Sequence, residues 1–299
     1  MFLMKLNLSG KKVNTKTEEE IKFMRIGGLI WQSIKDYLVD QVKIGMSLSE
    51  VEKMTKKQFE KYGVQESFNQ YHDFPSIICL SLNECVVHGP ADDKVFIAGG
   101  DKLTIDLGFT YKGLNIDGAF NLYFDPEPIE GQDPAEFQKL ERKISEHRYL
   151  QQLTMALFYE SIQGLKEGEL TGSITERMES FFNKYFPKKY KFLDKFTGHA
   201  IGYELHEHPR IHNFGLNKDE GEVLPLHSTI CIEPMIIEQE DGSWTLGDDE
   251  FGVYIKNKGG LTIHYEHTIL IRENDVEVLT ASIWEMQEMK SSWELLKRT

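Results

Sequence analysis

Cysteine is scarce: the 299 residues hold three, Cys79, Cys85 and Cys231. None forms a Cys-x-x-Cys pair, and an odd count in so long a chain excludes a disulfide-stapled scaffold and fits a reducing cytoplasm. Proline is scarce as well, nine residues beside 24 glycines, which excludes collagen-like and Pro/Gly-rich disordered classes. Positive charge is in the minority, 34 Lys and Arg against 48 Asp and Glu. The resulting net charge of −14 opposes binding to nucleic-acid phosphates or anionic lipid. No apolar run is long enough to span a bilayer, and Met1-Phe2-Leu3-Met4-Lys5 is too short for a signal-peptide core. What remains is 40% hydrophobic and 27% charged, the composition of a folded protein with one large domain or two small ones.

Helix starts are legible in the chain. Thr17-x-x-Glu20 has the form of a capping box and opens a helical pattern of Ile21, Met24, Trp31, Ile34 and Leu38. Ser47-x-x-Glu50 repeats the signal before Val51, Met54 and Phe59, and Gly63 suits that helix's end. Residues 76–87, 102–109 and 113–124 then shift to short apolar and β-branched runs parted by Gly and Asp turns, which read as sheet. Asp133-Pro134 starts a long helix carried by Phe137, Leu140, Ile144, Leu150, Leu153 and Leu157 to about Gly164. Ser173-x-x-Glu176 predicts the cap of the next, with Ile174, Met178, Phe181 and Tyr185 on one side, and the lysines 188, 189, 191 and 195 read as a solvated loop. Strand patterns return at 229–237, 252–255 and 263–271, and from residue 282 the tail is helical, with Met286, Met289, Trp293 and Leu296 in phase. Helices and strands in blocks, without repeats or linkers, predict one α+β domain over 17–281, a leader at 1–16 and a helical tail at 282–299.

Four carboxylates stand out. Asp106 alternates with Leu103, Ile105, Leu107 and Phe109, and taken alone it reads as a solvated strand residue. Asp117 follows in Asn115-Ile-Asp-Gly-Ala-Phe120, and a hairpin at Gly113 would bring the two together. Glu233 and Glu266 lie in runs too apolar for a solvent edge, Thr229-Ile-Cys-Ile-Glu-Pro-Met-Ile-Ile237 and Ile263-His-Tyr-Glu-His-Thr-Ile-Leu-Ile271, with no Lys or Arg within three residues of either. An unpaired buried carboxylate costs on the order of several kcal/mol, and a metal would remove that cost. His199, in Gly198-His-Ala-Ile-Gly202, taken alone is as well a core or turn histidine. Together, four carboxylates and a neutral imidazole nearly balance two divalent cations, and mostly oxygen ligation favours Mn, Fe or Co, with Zn admitted.

These motifs, in this order, resemble the five-ligand set of the methionine aminopeptidases, the pita-bread metallopeptidases, and most closely their type I branch. Thr-Ile-Asp-Leu-Gly, Asn-Ile-Asp-Gly-Ala-Phe, Gly-His-Ala-Ile-Gly, Ile-Glu-Pro-Met and Tyr-Glu-His-Thr each match, and nearly the whole chain takes part. The segment from Phe74 to His88-Gly-Pro90 resembles the family's run ending in a catalytic histidine, and Leu205-His206-Glu-His-Pro209 resembles the type I motif carrying a second. Gly118 stands where the family has a hydroxyl residue, Ala200 where it has glycine and Leu205 where an aromatic is common. These departures bear on substrate fit rather than on metal binding.

The resemblance implies a curved antiparallel sheet covered by paired helices, with two divalent ions (Co, Mn, Fe or Zn) on Asp106, Asp117, His199, Glu233 and Glu266. It implies removal of the N-terminal methionine from peptides and nascent chains with a small second residue, through a metal-bridged hydroxide. Glu233 would also shuttle the proton, His206 stabilise the oxyanion and His88 hold the first peptide nitrogen. Phe68, Tyr71, Phe74, Cys79, Leu205 and Trp244 would take the methionine side chain. A ribosome contact is implied, and neither a membrane nor a specific nucleic acid. Two rival readings remain: an Xaa-Pro peptidase, whose relatives share the five ligands but carry an extra N-terminal domain, and an inactive pita-bread protein that binds partners through the lysine cluster.

Overall fold

The computed structural model describes residues 12–70, 73–128, 130–131, 133–239 and 243–298. Both expected capping boxes form. Thr17 accepts the amide of Glu20 while the Glu20 carboxylate accepts the Thr17 N–H at 2.7 Å, which starts helix α1, Glu18–Gln41. Ser47 and Glu50 do the same for α2, Leu48–Tyr62, which ends at Gly63 in the left-handed region, φ 64°. Helices α3, Pro134–Ile162, and α5, Ile283–Arg298, also run where the apolar spacing put them.

Helix α4, Thr171–Tyr185, does not begin at Ser173 as expected. Its N-cap is Leu170, which offers no side-chain cap. The first N–H groups are satisfied from outside the helix instead: Thr171 donates to the Glu222 carbonyl at 2.9 Å and Gly172 to the Glu220 carbonyl at 3.1 Å. The hydroxyl of Ser173, already inside the first turn, turns back to the Leu170 carbonyl at 2.8 Å. The lysine-rich stretch is likewise not all loop. Tyr190–Phe192 is a strand paired with Met235–Glu238, and Lys189 bridges Glu146 and Glu238 at 3.3 and 3.1 Å.

The main sheet is antiparallel and curled into a half-barrel. Its strands lie in the order Glu207–Ile211, Gly198–Ala200, Thr229–Ile232, Glu266–Ile271, Gly118–Tyr123, Lys102–Asp106 and Cys79–Leu82. Two helical layers cover it. The apolar stripe of α1, with Val51 and Phe59 of α2, packs on Leu103, Ile105, Phe109 and Phe120, and α3, α4 and α5 pack on Ile230, Ile232, Ile236 and Ile269. In α5, Met289 is fully buried, and the Glu285 carboxylate accepts the Tyr265 hydroxyl at 2.9 Å and pairs with Lys35 of α1 at 2.5 Å. The tail thus grips both the strand that follows Tyr265 and the first helix. Among the described residues no helix is long and apolar enough to cross a membrane.

Trp31 of α1 explains Gly118. The indole N–H donates to the Leu107 carbonyl at 2.9 Å, and a Cβ on Gly118 would stand 2.7 Å from the indole ring. The hydroxyl residue expected there has no room while Trp31 is in place. Gly118→Ser should therefore lower stability by about 1–3 kcal/mol, the usual cost of overpacking a filled core, read as a lower thermal or urea midpoint. An unchanged midpoint would mean that the ring shifts aside freely.

Candidate metal centre

Two long runs of chain bend at the middle of the curled sheet. Thr229–Ile232 and Met235–Glu238 are interrupted at Glu233-Pro234, and Thr262–His264 and Glu266–Ile271 at Tyr265. The runs stay paired through the bend: Ile232 is opposite His267, Met235 is opposite His264, and the Tyr265 N–H donates to the Pro234 carbonyl at 3.3 Å. Proline has no N–H for the ladder and keeps Glu233 extended, so the break falls there and both glutamates face the cavity.

Register aligns the other side chains. Cys79, Asp106, Ala119 and Glu266 are successive cross-strand partners, and beyond the Glu266 strand Cys231 pairs with His199. Asp117 enters from the residue before Gly118. Its N–H donates to Thr268 Oγ1 at 3.1 Å, the Thr268 hydroxyl donates to its carbonyl at 2.7 Å, and its Oδ1 accepts the Gly118 N–H at 2.9 Å. All five expected ligands are buried and brought together. Three groups each offer donor atoms within 4.8 Å of one another: Asp106, Asp117 and Glu266; Glu233, His264 and Glu266; His199, Cys231 and Glu266. Glu266 belongs to all three.

The electrostatics of this cluster suit a bound cation. Burial, reinforced by the neighbouring carboxylates, holds the acids of Asp106, Glu233 and Glu266 well above the usual carboxylate range. Burial also pushes Asp117 up to about 7 against the opposing hydrogen bond from Gly118. Asp106 therefore does not face solvent as its strand position alone suggested; the strand is covered on both faces. Among the described residues no Lys or Arg forms an ion pair with any of the four; the basic partners within 4.0 Å are His199 and His264. Asp106 Oδ1 and Glu266 Oε1 are buried without a hydrogen-bond partner. His199 is oriented as a ligand. Its Nδ1–H faces the Ala200 carbonyl at 3.0 Å, which leaves the Nε2 lone pair toward Glu233 Oε1 at 3.4 Å. Burial, and then His206, lowers its pKa to about 3, so the imidazole is neutral. This donor set fits divalent cations.

The cluster floors a cavity of about 820 Å³. His88 and His206 both stand on its wall. His88 has a left-handed backbone, φ 60°, with its ring edge-on to Phe196 at 5.7 Å. His206 crosses His199 edge-on at 4.4 Å. Of the residues expected to hold a methionine side chain, Phe68, Phe74, Cys79 and Leu205 line the cavity and form one apolar group. Tyr71 lies outside the described residues. Trp244 is not on this wall: it packs on Phe196 at 5.5 Å and lines a separate cavity with Phe182, Phe192 and Phe214. It sits one strand repeat, about 6.6 Å, from Leu246, which does reach the metal cavity. Phe196, Phe251, Arg210 and His264 also line the cavity and escaped the sequence reading. For His264 a signal existed, since it stands two residues before Glu266 in the same motif.

The chain matches the model of metallopeptidase family M24 over residues 22–273. It is 31% identical over 267 residues to the methionine aminopeptidase of Mycoplasmoides gallisepticum, a stretch covering 89% of this chain and 98% of that protein. Its structure is similar to the methionine aminopeptidase of Thermotoga maritima, with TM-score 0.76 and 26% identity over 91% of this chain and 100% of that one. The prolidase of Pyrococcus furiosus shares the fold at TM-score 0.61 and 21% identity, over 90% of this chain and 65% of that one. The curled sheet under paired helices is the pita-bread arrangement expected from the sequence.

Proposed function

Since the chain belongs to metallopeptidase family M24 and, within it, to the methionine aminopeptidases, we propose that it removes the N-terminal methionine from peptides and nascent proteins with a small second residue. Two divalent ions would be held by Asp106, Asp117, His199, Glu233 and Glu266. The observation that carries the reading is the convergence of four buried carboxylates and a neutral histidine on one cavity floor with no lysine or arginine paired to them. A cytoplasmic setting agrees with three cysteines that are all buried and free.

When bound, the ions supply Lewis acidity to the scissile carbonyl and lower the pKa of a water toward neutrality. Glu233 would take up a proton from the attacking water and pass it to the leaving amine. His206, beside His199, would donate to the carbonyl oxygen as it takes up negative charge on attack. His88, also on the cavity wall, would hold the first peptide nitrogen. The thioether, unbranched and polarisable, fits the apolar group of Phe68, Phe74, Cys79 and Leu205. His206→Ala should keep its metal content yet lose about 2–4 kcal/mol of transition-state stabilisation, seen as a fall in kcat. A parallel fall in bound metal would make His206 a ligand or structural residue instead.

Metal-reconstituted protein, assayed on Met-Ala, Leu-Ala and Ala-Pro peptides, tests the whole reading. Met-Ala should have the highest kcat/KM. Leu-Ala should follow within about 1–3 kcal/mol, because an apolar pocket discriminates poorly between similar side chains. Preference for Ala-Pro would move the protein to the Xaa-Pro peptidases, and no cleavage with metal bound would favour a binding role.

A further inference from the structure

His264 is 2% exposed, yet neither of its ring nitrogens has a hydrogen-bond partner. Leaving a buried polar group unsatisfied is costly, so the ring calls for an occupant. Its surroundings say of what kind. Its Nε2 lies 3.5 Å from Glu233 Oε2 and 3.7 Å from Glu266 Oε2. His199 Nε2 addresses the other oxygens of the same two side chains, Glu233 Oε1 at 3.4 Å and Glu266 Oε1 at 4.0 Å. The two imidazoles thus flank one glutamate pair from opposite edges. The ring of His264 borders the cavity, so an ion that reaches Glu233 and Glu266 also reaches it.

We propose that His264 Nε2 is a sixth protein ligand of the metal centre, completing with Glu233 and Glu266 a group whose donor atoms lie within 4.8 Å of one another. The inference rests on the metal-dependent reading above and adds to it a second nitrogen donor. A direct hydrogen bond from His264 to either glutamate would explain the ring otherwise, but the separations are longer than such bonds have. Two imidazoles shift the donor set from oxygen-dominated toward the mixed nitrogen and oxygen kind. That raises affinity for Co, Fe and Zn relative to Mn.

The test uses the full chain loaded with Co and measures X-ray absorption fine structure, whose multiple-scattering pattern counts imidazoles. With two ions bound, wild-type protein should show on the order of one imidazole per ion, and His264→Gln about half that. In competition with a chelator, His264→Gln should bind Co about 10- to 100-fold more weakly, with a smaller change for Mn. Two ions bound by wild type at half an imidazole per ion would overturn the assignment and leave the metal-dependent reading standing. Failure of wild type to bind any divalent ion would overturn both. The wild-type count needs no variant, so it decides the matter even if His264→Gln folds poorly.

Discussion

Stripped of divalent metal, the protein should lose stability as the pH rises from about 6.5 to 7.5, while the metal-loaded protein should not. The sign follows from the four carboxylates. Each has a folded pKa above its unfolded one, with Asp117 at about 7 and Asp106, Glu233 and Glu266 held well above the usual carboxylate range by burial and mutual repulsion. A raised acid contributes stability that is complete below the unfolded pKa and is lost as pH climbs through the folded one. Each proton the folded state retains and the unfolded state has released costs about 1.4 kcal/mol per pH unit. The buried histidines do not confuse this window, and Lys102, which burial lowers to about 7, acts in the opposite sense as one group against four. His147, His199 and His264 have folded values of about 3, so their linkage acts at lower pH, below the ordinary 6.5 of a free imidazole. Bound cations remove the cost of ionising the cluster, which flattens the curve. Urea unfolding with and without chelator across the window measures both limbs. A metal-free protein whose stability is flat or rising would mean that the acids find counter-charge within the chain.

That cluster was legible in sequence through motif order rather than through any one residue. Asp106 on its own strand pattern looked solvated, and only the covering of both faces of its strand buries it. The glutamates were betrayed by local apolar runs and by Pro234, because a strand buried on both faces writes itself continuously into the chain. Helix starts at Thr17 and Ser47 were equally local, since a capping box is built from residues three apart. What escaped was set by chain far away. Leu170 replaces Ser173 as the start of α4 because the backbone of residues 220–222 satisfies the first amides. Trp244 packs on Phe196, from a separate strand connection, and that ring, not the indole, lines the metal cavity. The tail's amphipathic spacing predicted its helix, but not that Glu285 would hold Tyr265 and Lys35.

The segment before α1 contributes to the site more than a leader would, and Lys16→Met should show it. The Lys16 side chain is fully buried; its ammonium donates to the Ile201 carbonyl at 2.6 Å and pairs with Glu207 Oε2 at 3.4 Å. Glu207 Oε1 in turn accepts the Glu204 N–H at 3.1 Å. Lys16 therefore ties both ends of the turn that presents Leu205 and His206 to the cavity. Burial lowers its pKa despite the partner, so the intact pair contributes little net stability. Removing one member is different, because the other charge stays buried and uncompensated, at a cost of about 3–5 kcal/mol. Lys16→Met should thus lower the unfolding midpoint sharply, and kcat should fall with metal content retained, since the five ligands lie outside this turn. The double variant with Glu207→Gln should recover much of the stability, because no buried charge is then left alone. A single variant as stable and as active as wild type would show that Glu207 finds water or another cation. The turn would then owe its position to Asn115, whose side chain also donates to the Gly202 carbonyl, at 3.0 Å.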